Sequence, residues 1–203
     1  MKSPVLHRLH CDRCGSPLDG NLLSKVFTCT QCFLAFFMDG PRVQRFPLRY
    51  GKANILLPEP ILQIPFWDVQ THYSLTAMTK DQQRAYGTLM PWTRLLIPAF
   101  WSPVSDMVQT LTYHYSLIEK DTIQWEQRNG RLWPVTRNPE SLEAIARILW
   151  TARLDRACDT TGVRVTVQLS DPWLSVLPFA REPDGRGFRD GLTGARFPGA
   201  LFR

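Results

Sequence analysis

Along residues 61–76 the chain changes from a nearly unbroken apolar run to strict alternation. Ile61-Leu62-Gln63-Ile64-Pro65-Phe66-Trp67 reads as a buried strand with a proline at its edge or at a bulge. It continues into a stretch where Val69, Thr71, Tyr73 and Leu75 alternate with Gln70, His72 and Ser74, the period of a strand with one solvated face. His72 falls on the polar side and is expected to be solvated. A second apolar strand is Leu95-Leu96-Ile97-Pro98-Ala99-Phe100-Trp101. Near the end, Val163, Val165, Val167 and Leu169 alternate with polar residues, and Asp171-Pro172 is expected to turn the chain so that Trp173 to Phe179 returns as an apolar strand. Near the start, Lys25 to Thr28 reads as a strand, and Phe33 to Met38 as another that Asp39-Gly40-Pro41 stops.

Two segments have helical period and matching start signals. Ser102-Pro103 with Asp106 caps a helix whose apolar stripe is Val104, Met107, Val108, Leu111 and Tyr115. Asn138-Pro139-Glu140 opens a second with Leu142, Ile145, Ala146, Leu149 and Ala152 on one face. Thr79 to Gln83 begins a polar turn or short helix. Thr122 to Glu126 reads as a strand turned by Asn129-Gly130. The segments Ile64-Pro65-Phe66-Trp67 and Ile97-Pro98-Ala99-Phe100-Trp101 share Ile, Pro, Phe and Trp in order, with Pro65 and Pro98 33 residues apart. Val176-Leu177-Pro178-Phe179 is a weaker third copy. The likeness fits either an internal repeat or a chance recurrence of strands that enter a core through a proline bend. Phe66, Trp67, Phe100, Leu177 and Phe179 are expected to converge on one core.

Composition places the chain among ordinary globular proteins, with 44% hydrophobic and 21% charged residues. The net charge of +6 permits contact with nucleic acid or anionic lipid, although a solvated basic surface accounts for it equally. Its densest part, Arg42, Arg45, Arg49 and Lys52 interleaved with Phe46 and Tyr50, reads as a linker or edge strand, with a nucleic-acid contact as the alternative. The opening residues lack an apolar core of signal-peptide length, and no run of about 18 apolar residues occurs. A cytoplasmic protein without a membrane span is therefore expected.

Cysteine spacing adds the candidate chemistry. Cys11-x2-Cys14 and Cys29-x2-Cys32 are two pairs separated by fourteen residues. A Cys-x2-Cys turn offers two thiolates from one tight knuckle, and two such knuckles at hairpin tips can close a tetrahedral Zn²⁺ site. A disulfide framework and a redox Cys-x2-Cys are the competing readings. Two spaced pairs in a reducing compartment favour one zinc, and four protein thiolates leave no open position, so the metal is expected to be structural. Gly15 relaxes the first knuckle. Phe33 stands where the second would have a glycine, so an altered turn is expected there. Cys158 reads as a small buried hydrophobe.

The expected fold class is α+β: an N-terminal β zinc ribbon over 1–40, a basic linker over 41–58, and a mainly antiparallel α+β domain over 59–203. The order of Cys11, Cys14, Cys29, Cys32, Ile64 to Trp67, Pro98 to Phe100, Leu177 to Phe179, and Asp190 with Thr193-Gly194 resembles a family of bacterial zinc-ribbon proteins carrying LPFW-like and PAF segments. The resemblance spans most of the chain, but only its cysteine motif is specific. It implies an architecture and supplies no activity.

Catalytic signatures are absent from the sequence: no phosphate-cradling Gly-x4-Gly-Lys, no Gly-x-Ser-x-Gly, no His-Glu-x2-His. His7, His10, His72 and His114 lack metal-site spacing. A non-enzymatic role is expected, with two classes of partner. The first is a protein partner held through Trp and Arg, which makes the chain an interaction subunit or assembly adaptor. The second is nucleic acid tracked by the ribbon and the Arg42 to Lys52 segment.

Overall fold

The computed structural model describes residues 9–20, 24–39, 42–76, 78–89, 93–102, 107–118, 122–126 and 131–202. Its elements are β1 (Val26–Cys29), β2 (Leu34–Asp39), β3 (Arg42–Gly51), β4 (Ile61–Thr76), α1 (Lys80–Thr88), β5 (Arg94–Pro98), α2 (Met107–Ser116), β6 (Trp125–Glu126), β7 (Arg131–Leu132), α3 (Leu142–Asp155), β8 (Arg164–Leu169), β9 (Trp173–Arg181), β10 (Gly187–Asp190) and β11 (Arg196–Pro198). The fold is mixed α+β, and the eleven strands among the described residues join one sheet. Among the described residues no helix is long and apolar enough to cross a membrane.

The 16-residue β4 is the axis of the sheet, and its sequence pattern explains why. Over its first half it is antiparallel to β9 on one edge, with Ile64 opposite Leu177, and to β5 on the other, with Trp67 opposite Ile97. Residues 63–69 are buried, as a strand covered on both faces requires, whereas Gln70, His72, Ser74 and Thr76 are exposed where the alternation begins. Prolines sit in all three of these strands although none of them can donate to a ladder. Each proline's carbonyl is still used: Pro65 accepts from Ala99 N at 2.9 Å, Pro178 from Gly191 N at 2.8 Å, and Pro98 from Arg137 Nε at 2.8 Å. The related segments around Pro65, Pro98 and Pro178 are thus three neighbouring strands.

The expected turn at Asp171-Pro172 is not a reversal. Both β8 and β9 run antiparallel to β4 along the same edge, β8 facing Thr71–Thr76 and β9 facing Ile61–Asp68. Ser170 to Pro172 form a break between them. Pro172 cannot extend the ladder, so the chain bulges and resumes in the same direction. In the basic segment, read as a linker or edge strand, residues 42–51 form β3. The first half of β3 pairs with β2 and its second half runs parallel to β9, because Phe46, Leu48 and Tyr50 alternate inward.

Alternation divides the sheet into two cores. Trp67, Val69, Leu95, Ile97, Leu174 and Val176 face α3, whose Leu142, Ala146, Leu149 and Trp150 cover them. Ile64, Phe66, Leu96, Phe100, Leu177 and Phe179 face the other way, toward Leu111 and Tyr115 of α2. Four of the five residues expected in one core meet there. Trp67 is the exception, because it follows Phe66 directly and successive strand residues point to opposite faces. Its indole donates instead to Arg137 O at 3.0 Å, and its ring meets Phe46 edge-on at 5.0 Å. α1 carries a full capping box between Thr79 and Gln82, and Asn138 caps the turn that leads into α3. The start signal at 103–106 and the turn at 129–130 lie outside the described residues.

Two adjacent aromatics give a sharp check of this layering. Phe100 is 2% exposed and Trp101 68% exposed. Phe100→Ala should lower the unfolding free energy by about 3–5 kcal/mol by leaving a large cavity, whereas Trp101→Ala should change it by about 0.5 kcal/mol or less. Urea denaturation of both variants tests this, and equal losses would show the register to be wrong.

Candidate metal centre and a buried charge cluster

The cysteine pairs sit on two hairpin tips. The first chain reversal is closed by a bridge between His10 and Pro17, and a bridge between Asp19 and Thr28 ties it to β1. Inside it Cys11 N donates to Ser16 O and Gly15 N to Cys11 O, both at 2.8 Å, which curls Cys11 to Cys14 into a knuckle. The second lies between β1 and β2, where Cys29 pairs with Leu34, and Cys32 N donates to Cys29 Sγ at 3.4 Å. Gly15 has φ +73° and Phe33 φ +53°. Phe33 therefore shares the positive φ of Gly15 in the first knuckle, without a glycine's freedom to adopt it. An L-residue held there costs about 1–2 kcal/mol, which the surrounding hairpin must offset.

These turns bring Cys11, Cys14, Cys29 and Cys32 together, with all four Sγ atoms within 4.8 Å of one another and Cys14 Sγ 3.6 Å from Cys29 Sγ. A tetrahedral site with metal–sulfur bonds of about 2.3 Å has sulfurs about 3.8 Å apart. The arrangement can hold a metal ion. Cys11 and Cys29 are buried, Cys32 is half-buried and Cys14 exposed. Their protons are not equivalent. Hydrogen bonds from Ser16, ahead of one from Cys32, lower the Cys14 thiol to about 6. Burial raises Cys29, and hydrogen bonding with Cys14, ahead of burial, pushes Cys32 up to about 12. One thiolate forms easily and further negative charge is resisted, as expected of sulfurs that share a site. Among the described residues Phe36 is the buried apolar neighbour around them, with Leu18, Leu34 and Met38 partly buried.

The hairpins are joined firmly to the sheet. Alternate residues of β2 serve different cores: Leu34, Phe36 and Met38 pack by the cysteines, while Ala35 and Phe37 join Val26 in the core of Trp67 and Trp150. Lys25 N also donates to Val135 O at 2.8 Å. Of the remaining sequence candidates, Cys158 is half-buried. Asp190 is fully buried in the turn that also carries Thr193-Gly194. It accepts from Leu192 N and Thr193 N, both at 2.9 Å, and from Thr193 Oγ1 at 2.6 Å. His114 Nε2 lies 3.0 Å from that hydroxyl, so this motif fastens α2 to the turn.

A second polar constellation was not singled out in the sequence. Asp68 lies in β4, 6% exposed, on the sheet face that also carries Phe66. Its carboxylate accepts from Arg94 Nε at 2.7 Å, from Ser175 Oγ at 2.9 Å and from Arg49 Nη2. The Arg49 guanidinium is further fixed by Nε donating to Ser175 Oγ at 2.8 Å and by the Trp125 and Trp173 rings, 4.0 and 4.9 Å away. A lone acid in an apolar strand and an arginine opening Arg94-Leu95-Leu96-Ile97 were the available signals. Arg42 and Lys52 remain exposed, and Arg45 pairs with Asp12. Arg49 is thus withdrawn from the basic segment. No protein family, curated protein or solved structure matches this chain.

The Asp68 cluster sets an acid limit. Burial acts to raise its carboxyl, but the bonds and charge of Arg94, and the charge of Arg49, hold it below the ordinary value. A depressed carboxylate contributes stability above its unfolded pKa of about 3.9 and loses it as pH falls through the folded value. Asp68→Asn should therefore cost about 3 kcal/mol at neutral pH, where it leaves two half-buried arginines without their carboxylate. That difference should shrink below about pH 4. Urea titrations of both proteins between neutral and acid pH measure it, and a pH-independent difference would contradict the assignment.

Proposed function

We propose that this chain is a non-catalytic zinc protein of the zinc-ribbon kind, similar to the bacterial zinc-ribbon family, and that it serves as a protein-interaction subunit. The carrying observation is the closure of four cysteine sulfurs within 4.8 Å at the tips of two hairpins. All four ligand positions of a tetrahedral ion would be filled by protein, so the ion would fasten the hairpins and leave no site for substrate. A divalent cation also removes the penalty that resists ionising the last thiols, so binding should release protons. Reduced thiols of this kind fit a cytoplasmic setting.

The interaction reading rests on the surface beside the cysteines. A depression of about 490 Å³ is lined by Leu18, Phe36, Met38 and Val43, with His10, Asp12 and Arg45 also bordering it. Val43 is 54% and Phe33 40% exposed. Apolar floor with polar border is the anatomy of a protein-binding patch. Nucleic acid is less favoured because the basic segment is dispersed: Arg49 is consumed by Asp68, and Arg45 is paired with Asp12.

Protein purified without added metal should contain about one zinc per chain by elemental analysis, and Cys29→Ser with Cys32→Ser should remove it. Since Ala35, Phe37 and Val26 belong to the large core, loss of the metal should also lower the melting temperature of the sheet and not merely fray the hairpins. Unchanged zinc content in the double variant would refute the metal assignment.

Partner class is tested separately. Arg42, Arg45 and Lys52 are replaced together with Gln, keeping Arg49 to hold Asp68. Binding to mixed single- and double-stranded nucleic acid is then measured at physiological salt, alongside recovery of protein partners. Weak nucleic-acid binding by the wild type, with protein partners retained by the variant, is expected, because apolar contacts are little affected by screening. Tight nucleic-acid binding that the triple change abolishes would transfer the function to the other class.

A further inference from the structure

The bulge between β8 and β9 opens a cavity of about 370 Å³ directly over the Asp68 cluster. Arg49, Asp68 and Arg94 lie in its lining, with Gln70, Asp171 and Trp173. One carboxylate is shared by two guanidinium groups, so this cluster carries a surplus of one positive charge. Buried charge is retained at low cost only when it is paired. Arg94, whose side chain is 11% exposed, has its Nη1 buried without a hydrogen-bond partner among the described residues. Such an atom in a native structure calls for an explanation, and a water or an ion is among those that would serve.

The donors are preorganised. Arg49 is fixed by Asp68, Ser175, Trp125 and Trp173, and Arg94 by two bonds to Asp68, so neither must be ordered when a ligand arrives. Trp173 is 44% exposed and supplies an apolar wall. The other acid, Asp171, is exposed, where solvent screens it, so it offsets the surplus only weakly. The volume lies within the range of small-molecule pockets, about 300–1,000 Å³.

We propose that this pocket binds a compact oxyanion, a carboxylate or phosphate group on a small molecule whose body lies against Trp173. The site is independent of the metal centre. Guanidinium forks recognise both kinds of oxyanion, so separate probes must distinguish them.

Inorganic phosphate and benzoate are titrated separately into the full chain as purified, by isothermal titration calorimetry, with Gln70→Glu, Gln70→Lys and Asp171→Asn as variants. Gln70 and Asp171 are exposed, and melting curves confirm that each variant is folded. Saturable one-to-one binding of at least one probe is expected. Gln70→Glu should weaken it about threefold or more and Gln70→Lys should tighten it by a similar factor, whereas Asp171→Asn, which removes a screened charge, should tighten it by less. Binding of phosphate alone assigns the site to phosphate, and binding of benzoate alone to a carboxylate. The proposal is overturned if neither probe saturates, if all four proteins bind alike, or if Asp171→Asn weakens binding, since a ligand held by that acid would be cationic.

Discussion

Pairing of β4 along both edges is the constraint from which the remaining architecture follows. With β9 on one side and β5 on the other, the backbone of its first half is satisfied within the sheet, and that half is also buried on both faces. α3 covers one face and α2 the other. Three prolines in these central strands would ordinarily argue against such a position. Each proline's carbonyl still accepts a bond, in β5 from the guanidinium of Arg137, whose Nη2 also reaches Phe100 O at 3.1 Å. Arg137 thus acts as a clamp on the end of β5. Its burial lowers its pKa from the ordinary value.

The same axis accounts for the polar site. Asp68 follows Trp67 on β4 and so shares the Phe66 face, yet it lies beside the break in the neighbouring strand. A bulge that releases ladder partners re-aims side chains and opens space. Arg49 from β3, Arg94 from β5 and Ser175 from β9 reach one carboxylate because all four strands present that face together. Replacing such a cluster with apolar residues can be neutral for stability, so the strength of its ion pairs does not by itself account for it.

Local patterns were legible where they needed no partner information. The cysteine knuckles, the change from buried run to alternation at Gln70, and the stripe of Leu142, Ala146 and Leu149 could each be read from spacing alone. Direction and pairing could not. Asp171-Pro172 has the composition of a hairpin turn, and only the ladder shows that β8 and β9 run the same way. Arg42 to Lys52 looked like a linker because its charges alternate with aromatics, but Phe46, Leu48 and Tyr50 are inward positions of a strand. Trp67 was placed with Phe66 by apolarity when period two separates them. Phe33 adopts a backbone conformation that its identity disfavours, so only the observed angle reveals it.

The central claim is that four thiolates hold one zinc and thereby close the N-terminal hairpins against the sheet. X-ray absorption at the zinc edge of the purified protein tests it most directly. Four sulfur ligands at about 2.3 Å and no lighter scatterer in the first coordination sphere are predicted. Oxygen or nitrogen ligands there, or a folded protein that lacks zinc and carries disulfides among Cys11, Cys14, Cys29 and Cys32, would contradict it.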